Sequence, residues 1–135
     1  MSDWQFKYNI NVDERNRVVY VKIFGVWKED TAQRYHEDFK AETETIIGKP
    51  WAKLIDLINW KMGTPEAISI LGEHMDWSRN NGMKVQTYII NDPIRYGQLL
   101  KMFDKGKAKE VSKTFRTRAE AERYLKTEGF KVISS

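Results

Sequence analysis

Residues 52–60 read AKLIDLINW, and residues 61–67 continue as KMGTPEA. The first stretch is a short apolar run that ends in an acid, which is typical of a buried strand. In the second stretch Thr64 precedes Pro65 and Glu66. A hydroxyl cap, a proline in the first turn and an acid near the positive end of the helix dipole together predict a helix start. A strand, a polar loop and a helix N-terminus therefore meet here.

Upstream of this stretch the sequence predicts an antiparallel hairpin. A period of two marks a first strand, a polar turn follows at 13–17, and a β-branched, aromatic run at 18–27 indicates a second, better buried strand. Gly25, near the end of that run, indicates a bulge or a close backbone approach. The alternating apolar residues of the first strand are Phe6, Tyr8, Ile10 and Val12.

Helices and strands alternate over the rest of the chain. The predicted elements are a helix from a cap at Asp30 or Thr31 to Gly48, a strand at 53–58, a helix from Thr64 to Gly82, a strand at 85–90, a helix ending at about Gly106, a strand at 111–115 and a helix from Thr117 to Gly129. The resulting order, ββαβαβαβα, predicts a single α/β domain over residues 1–135. Its sheet is mostly parallel, with an N-terminal antiparallel hairpin and four helices.

Composition excludes several classes of protein. The chain has 135 residues, a net charge of +4 and no cysteine. Disulfides, iron–sulfur clusters, thiolate zinc sites and cysteine nucleophiles are therefore excluded. No apolar run approaches the length of a membrane span, and the N-terminal residues do not have the pattern of a secretory signal. We therefore expect a cytoplasmic location.

Three segments carry a resemblance to a known family. They are VYVKIFGVW at 19–27, LIDL at 54–57 and FRTRAEA at 115–121. With the order of elements, they resemble the STAS superfamily of anti-sigma-factor antagonists and its SpoIIAA-like offshoots. The resemblance implies a STAS-like fold and a non-enzymatic binding or regulatory module. Where the phosphorylated antagonists have an Asp-Ser-Ser-Gly-like loop, this chain has GTPE at 63–66, in which Thr64 is the one hydroxyl and helix capping already explains it.

The loop between the third strand and the second helix holds the candidate ligand-binding residues. In open α/β sheets ligands bind outside the carboxyl ends of parallel strands, and free N–H groups at a helix start can hold an anion. A purely structural role for Asp56, hydrogen-bonded to its own loop, also explains its position. The candidates are Asp56, Asn59, Trp60, Met62 and Thr64.

The aromatic residues leave three interpretations open. They can fill the core, line an apolar pocket between the hairpin and the second helix, or form an exposed patch for self-association as a homodimer. The pocket would make the protein a carrier of a small apolar or lipid-like ligand. The residues concerned are Trp27, Trp51, Trp60, Trp77, Tyr20, Phe24, Met62 and Met75.

Catalytic and metal-binding motifs are absent from the sequence. His36 and His74 are the only histidines, they lie on predicted helices, and they form no zinc-protease motif. No nucleophile elbow, phosphate-binding loop or dinucleotide fingerprint is present. We therefore expect no enzyme activity, no metal and no cofactor.

A basic segment at 95–118 raises the question of an anionic partner. It carries eight lysines and arginines against two acids. Aromatic residues are not interleaved as in single-strand binders, so a nucleic-acid partner is not expected. A solvated face and docking to an anionic surface both fit this pattern. The anion-contact candidates are Lys101, Lys105, Lys107 and Lys109.

Overall fold

The computed structural model of the protein describes residues 7–133, so the predicted strand residue Phe6 lies outside the described part. The strands are β1 (Tyr8–Asp13), β2 (Val18–Ile23), β3 (Gly25–Trp27), β4 (Trp51–Asp56), β5 (Trp60–Gly63), β6 (Met83–Ile89) and β7 (Ser112–Phe115). The helices are α1 (Glu29–Glu42), α2 (Pro65–Asn80), α3 (Pro93–Lys105) and α4 (Arg118–Thr127). A short 3₁₀ helix at Lys109–Val111 precedes β7.

The main sheet has five strands in the order β1-β2-β4-β6-β7. The β1–β2 pair is antiparallel, and every other neighbouring pair in this sheet is parallel. This confirms the predicted fold class, a mostly parallel sheet that begins with an antiparallel hairpin. β4 is buried along almost its whole length, as its apolar sequence predicts.

A second, two-stranded parallel ribbon pairs β3 with β5, and the sequence did not predict it. The run predicted as one strand at 18–27 breaks at Phe24, because Gly25 adopts a positive φ of 70°. The strand predicted at 53–58 also ends earlier, at Asp56, and the chain after it turns to form β5. The ribbon extends beyond the carboxyl ends of β2 and β4.

Two hydrophobic cores lie on opposite faces of the sheet. The larger core packs α1, α2 and α3 against one face. The smaller core packs α4 against the other face. The split follows from the strand order: β2, β4, β6 and β7 succeed one another in one direction, so right-handed crossovers place the three connecting helices together.

The helix boundaries confirm the predicted caps except in α1. Thr64 caps α2, and Thr117 forms a capping box with Glu120 at the start of α4. α1 starts at Glu29 with Lys28 in the cap position, so the predicted cap at Asp30 or Thr31 is wrong. Glu29 and Asp30 lie in the first turn of α1, where their negative charges interact favourably with the positive end of the helix dipole. α1 also ends at Glu42, before the predicted stop.

Candidate functional site

Three hydrogen bonds hold the loop after β4, one within the loop and two to neighbouring strands. The Asp56 carboxylate accepts a hydrogen bond from the Ile58 backbone N–H at 2.9 Å. The Leu57 N–H donates to the Ile89 carbonyl at 2.9 Å, which ties the loop to β6. The carbonyl of Asn59 accepts from the Gly25 N–H at 2.9 Å, where the ribbon begins. Asp56 and Asn59 therefore shape the loop through these bonds.

The ribbon separates Trp60 from Met62. In a regular strand the side chains at i and i+2 share a face. Here a bulge shifts the register, because Gly25 pairs with Trp60 but Val26 pairs with Met62. Trp60 is buried, whereas Met62 is 45% exposed and Val26 is 38% exposed. The structure thus does not bring Trp60 and Met62 together in one pocket.

Met62 and Val26 form an exposed apolar pair beside the start of α2. The Thr64 N–H donates to the Trp27 carbonyl at 2.9 Å, which joins the ribbon to the helix cap. The Thr64 hydroxyl in turn accepts from the Ala67 N–H at 3.2 Å. The exposed pair therefore sits on a rigid support.

Helix α3 reinforces this support from the side. The Gln98 side chain accepts from the Gly63 N–H at 3.0 Å and donates to the Gly63 carbonyl at 3.4 Å. Arg95 donates to the carbonyls of Ile58 and Trp60. Ile94, 81% exposed, lies one turn before Gln98 on the same helix face. We call the exposed side chains of Val26 and Met62 the ribbon patch.

A small cavity lies beside Trp60 of the ribbon. Its volume is about 20 Å³, which is the size needed for one water molecule. Among residues 7–133 the Trp60 indole Nε1 has no hydrogen-bond partner, although it is buried. The lining is almost entirely apolar, and consists of Ile23, Tyr35, Ile55, Leu57, Trp60, Leu71, His74, Met75, Tyr88 and Met102.

A line of three nitrogen-bearing side chains crosses the larger core beside this cavity. Lys53 on β4 is fully buried, and its Nζ lies 2.9 Å from His74 Nε2. His74 Nδ1 lies 2.8 Å from His36 Nδ1, and His36 is half-buried on α1. We call these three residues the nitrogen line. Both histidines were predicted to lie on helices, but Lys53, a charged residue inside the mostly apolar strand β4, was not singled out.

Burial sets the protonation of the nitrogen line. It lowers the pKa of the Lys53 amine well below the ordinary lysine value. Burial, followed by the neighbouring Lys53 and His36, also lowers the pKa of His74 well below its ordinary value. The pKa of His36 is lowered by burial and then by Lys40 and Lys53, against Glu37 and Glu73, which raise it. At neutral pH the two imidazoles are therefore neutral.

The predicted basic segment does not form one surface. Arg95 is bound to loop carbonyls and to Asp92, and Arg118 pairs with Glu122 on the α4 side of the sheet. The four lysines proposed as anion contacts are exposed around the end of α3 and the turn that follows: Lys101, Lys105, Lys107 and Lys109.

Residues 7–133 contain no cluster of three or more histidine, aspartate or glutamate side chains that could hold a metal ion. No helix in the same range combines the length and apolarity needed to cross a membrane.

The five-stranded sheet, the layer of three helices and the strand–loop–helix unit at β4 and α2 define a SpoIIAA-like, or STAS-like, α/β fold. No protein-family model matches the sequence, and no curated protein matches it. Solved structures do match.

Three solved structures illustrate the likeness. An uncharacterized protein of the DUF3478 family from Shewanella loihica, described as having a SpoIIAA-like fold, superimposes with a TM-score of 0.64 at 13% identity, covering 88% of this chain and 94% of that one. The phosphorylated Bacillus cell fate determinant SpoIIAA gives 0.56 at 8% identity, over 87% and 98% of the two chains. The unphosphorylated anti-sigma factor antagonist SpoIIAA gives 0.57 at 9%, over 90% and 98%. At these identities the likeness shows the fold.

Proposed function

We propose that this protein is a non-catalytic regulatory module of the cytoplasm that binds a protein partner through the ribbon patch. The observation that carries the proposal is the exposed apolar pair Val26 and Met62, paired across the ribbon at the start of α2. Exposed apolar side chains on a rigid, hydrogen-bonded support are typical of protein-binding surfaces. The likeness to SpoIIAA, described as an anti-sigma factor antagonist, adds a precedent for a protein partner.

The partner experiment compares two charge substitutions. Met62→Glu places a carboxylate in the ribbon patch, whereas Leu100→Glu places one on an equally exposed apolar residue, 43% against 45% exposed. Leu100 is two residues from Gln98 and so lies on the opposite side of α3. Because both sites are exposed, neither change should alter the free energy of unfolding by more than about 0.5 kcal/mol.

Tagged wild-type protein and both variants are used to capture partners from the source cells, together with a co-expressed untagged copy of the same chain. We expect one protein, or the untagged copy, to be retained by wild type and by Leu100→Glu and lost with Met62→Glu. Equal retention by all three proteins would contradict the ribbon patch as the binding surface. Loss of the partner with Leu100→Glu alone would instead place the binding surface on the side of α3 that carries Leu100.

A second candidate function, carriage of a small apolar ligand, is supported by the almost entirely apolar lining of the cavity. The cavity as it stands holds about one water molecule. A larger ligand therefore requires the flexible Met75 and Met102 side chains to move aside. Native and denaturing mass spectra of freshly purified protein test this: added mass in the native spectrum alone supports the carrier, and the bare chain mass in both spectra counts against it.

A further inference from the structure

The nitrogen line joins the centre of the larger core to the protein surface. Lys53 is fully buried on β4, His74 is 2% exposed on α2, and His36 is half-buried on α1. Both nitrogen–nitrogen separations, 2.9 Å and 2.8 Å, are hydrogen-bond distances. A buried amine, a buried imidazole and an accessible imidazole are thus connected without a gap.

No carboxylate neutralises the buried end of the line. Within residues 7–133 Lys53 forms no ion pair, and its ammonium position lies 4.8 Å from the centre of the Phe39 ring and 6.0 Å from that of Trp51. The other titratable groups that face the line are distributed over three elements. They are Tyr35, Glu37 and Lys40 on α1, Glu73 on α2 and Tyr88 on β6.

The direction of the two hydrogen bonds depends on the charge of Lys53. A lysine ammonium can only donate, so a charged Lys53 donates to His74 Nε2, and His74 Nδ1–H then donates to His36 Nδ1. A neutral amine also has a lone pair and allows the reverse order, in which His36 donates to His74 and His74 donates to Lys53. In the reverse order the outer His36 nitrogen, Nε2, is free to accept a proton from solvent.

We propose that the nitrogen line is a proton path through which the buried Lys53 amine exchanges a proton with solvent at His36, and that charging this amine loosens α1 from the sheet. When a proton binds His36 Nε2, the His36 Nδ1 proton passes to His74 Nδ1 and the His74 Nε2 proton passes to Lys53 Nζ. One proton enters, one ammonium forms, and both imidazoles end neutral. This inference is independent of the partner surface proposed above.

The loosening of α1 follows from the surroundings of the amine. Its neighbours are the Phe39 ring of α1, the Trp51 ring of β4 and the His74 ring of α2. Two aromatic rings and one imidazole do not replace the hydration of an ammonium ion, so the charged form favours conformations that admit water. Helix α1, which contributes Phe39 and His36, covers the Lys53 amine and must therefore move to admit water.

The first experiment follows the charge of Lys53 directly. In protein labelled with ¹³C at lysine Cε, the resonance missing from Lys53→Met identifies Lys53. We expect it to titrate well below the exposed lysines and to remain a single averaged signal. In His36→Leu the path is cut, so the charged and neutral forms should give two slowly exchanging signals. Glu73→Gln, which changes charge beside His36 but keeps the path, should retain one signal.

Two results would overturn the proton path. One is titration of Lys53 together with the exposed lysines, and the other is an averaged signal in His36→Leu.

Hydrogen exchange of the α1 amides tests the consequence and does not require His36→Leu to fold. After correction for intrinsic exchange, the opening of α1 should increase by up to about tenfold for each pH unit as pH falls below the ordinary lysine pKa. Above the ordinary histidine pKa, Lys53→Met should remove this dependence, and Lys101→Met, on an exposed lysine, should retain it. The same pH dependence in Lys53→Met would contradict loosening by the charged amine.

Discussion

Lys53 decides the energetics of the larger core. Folding transfers its amine from water to a site with one imidazole partner, and burial lowers its pKa. The folded state therefore binds fewer protons than the unfolded state between the lowered pKa and the ordinary value of 10.5. The contribution of Lys53 to stability is most favourable above that ordinary value and becomes less favourable as pH decreases towards the lowered one. The lowered pKa values of His74 and His36 add a similar loss below their ordinary value of 6.5.

Replacing Lys53 with methionine should therefore stabilise the protein at neutral pH. Methionine keeps most of the side-chain volume and removes the cost of burying the amine, about 1–3 kcal/mol, against about 1 kcal/mol for the lost His74 hydrogen bond. Urea unfolding at several pH values measures the difference, which should shrink as pH rises towards 10.5. Lys101→Met, at an exposed site, is the control. A less stable Lys53→Met at neutral pH would show that the amine is a net stabilising group.

Sequence patterns could not predict the nitrogen line. The apolar run at 52–58 predicts a strand buried on both faces, and this burial is confirmed. The alternation within that strand also places Lys53 on the same face as Trp51 and Ile55. The pattern does not tell which elements pack together. His36, Lys53 and His74 come from three separate elements, and only the packing of α1 and α2 on the sheet brings them together. A lysine inside a predicted buried strand was the available signal.

The helices were the elements best predicted from sequence, because caps and periodicity are local. The caps predicted at Thr64 and Thr117 are confirmed. The ribbon was missed for the opposite reason. β3 and β5 are only three and four residues long, and a bulge breaks their alternation. Their pairing also joins segments far apart in sequence.

Two glycines of the α3 region give a prediction about helix packing. A Cβ added at Gly106 would lie 2.5 Å from the Gly72 carbonyl oxygen and 2.8 Å from Met75 Cβ, because α2 and the end of α3 cross closely there. At Gly97, inside α3, an added Cβ meets nothing within 4 Å. Gly97→Ala should stabilise by about 0.5–1 kcal/mol through helix propensity. Gly106→Ala should destabilise by about 1–3 kcal/mol through overpacking.

Denaturant unfolding of the two variants measures both effects against the wild type. Stabilisation by Gly106→Ala, or equal effects of the two substitutions, would contradict the close crossing of α2 and α3.

At the scale of the whole molecule, strand order determines where a crevice can form. Ligand crevices open where neighbouring parallel strands send their connections to opposite faces of the sheet. β2, β4 and β6 all lead to the layer of three helices, so the loop after Asp56 has no such crevice. β6 leads to α3 and β7 leads to α4, on the other face. A groove lies between them, but Asp92 and Thr117 with Glu120 already cap both helix starts.

The order of helices and strands along the chain predicts the fold class, but it does not predict where a ligand crevice lies. Counting strands and helices in sequence yields the alternating order and the initial hairpin, and both are confirmed. The order of strands in the sheet, which decides which helices share a face, is not contained in that count. Asp56 ends β4, whose neighbours β2 and β6 lead to the same helix layer, and its role in ligand binding stays a prediction.

Site-specific photo-crosslinking in cells tests most directly whether the protein binds a partner through the ribbon patch. A photoreactive phenylalanine derivative replaces Met62 in one variant and Leu100 in the other, because the two positions are equally exposed and Leu100 lies on the face of α3 away from Gln98. We predict a discrete crosslinked protein species from position 62 and none from position 100. The same species from both positions, or from position 100 alone, would contradict binding through the ribbon patch.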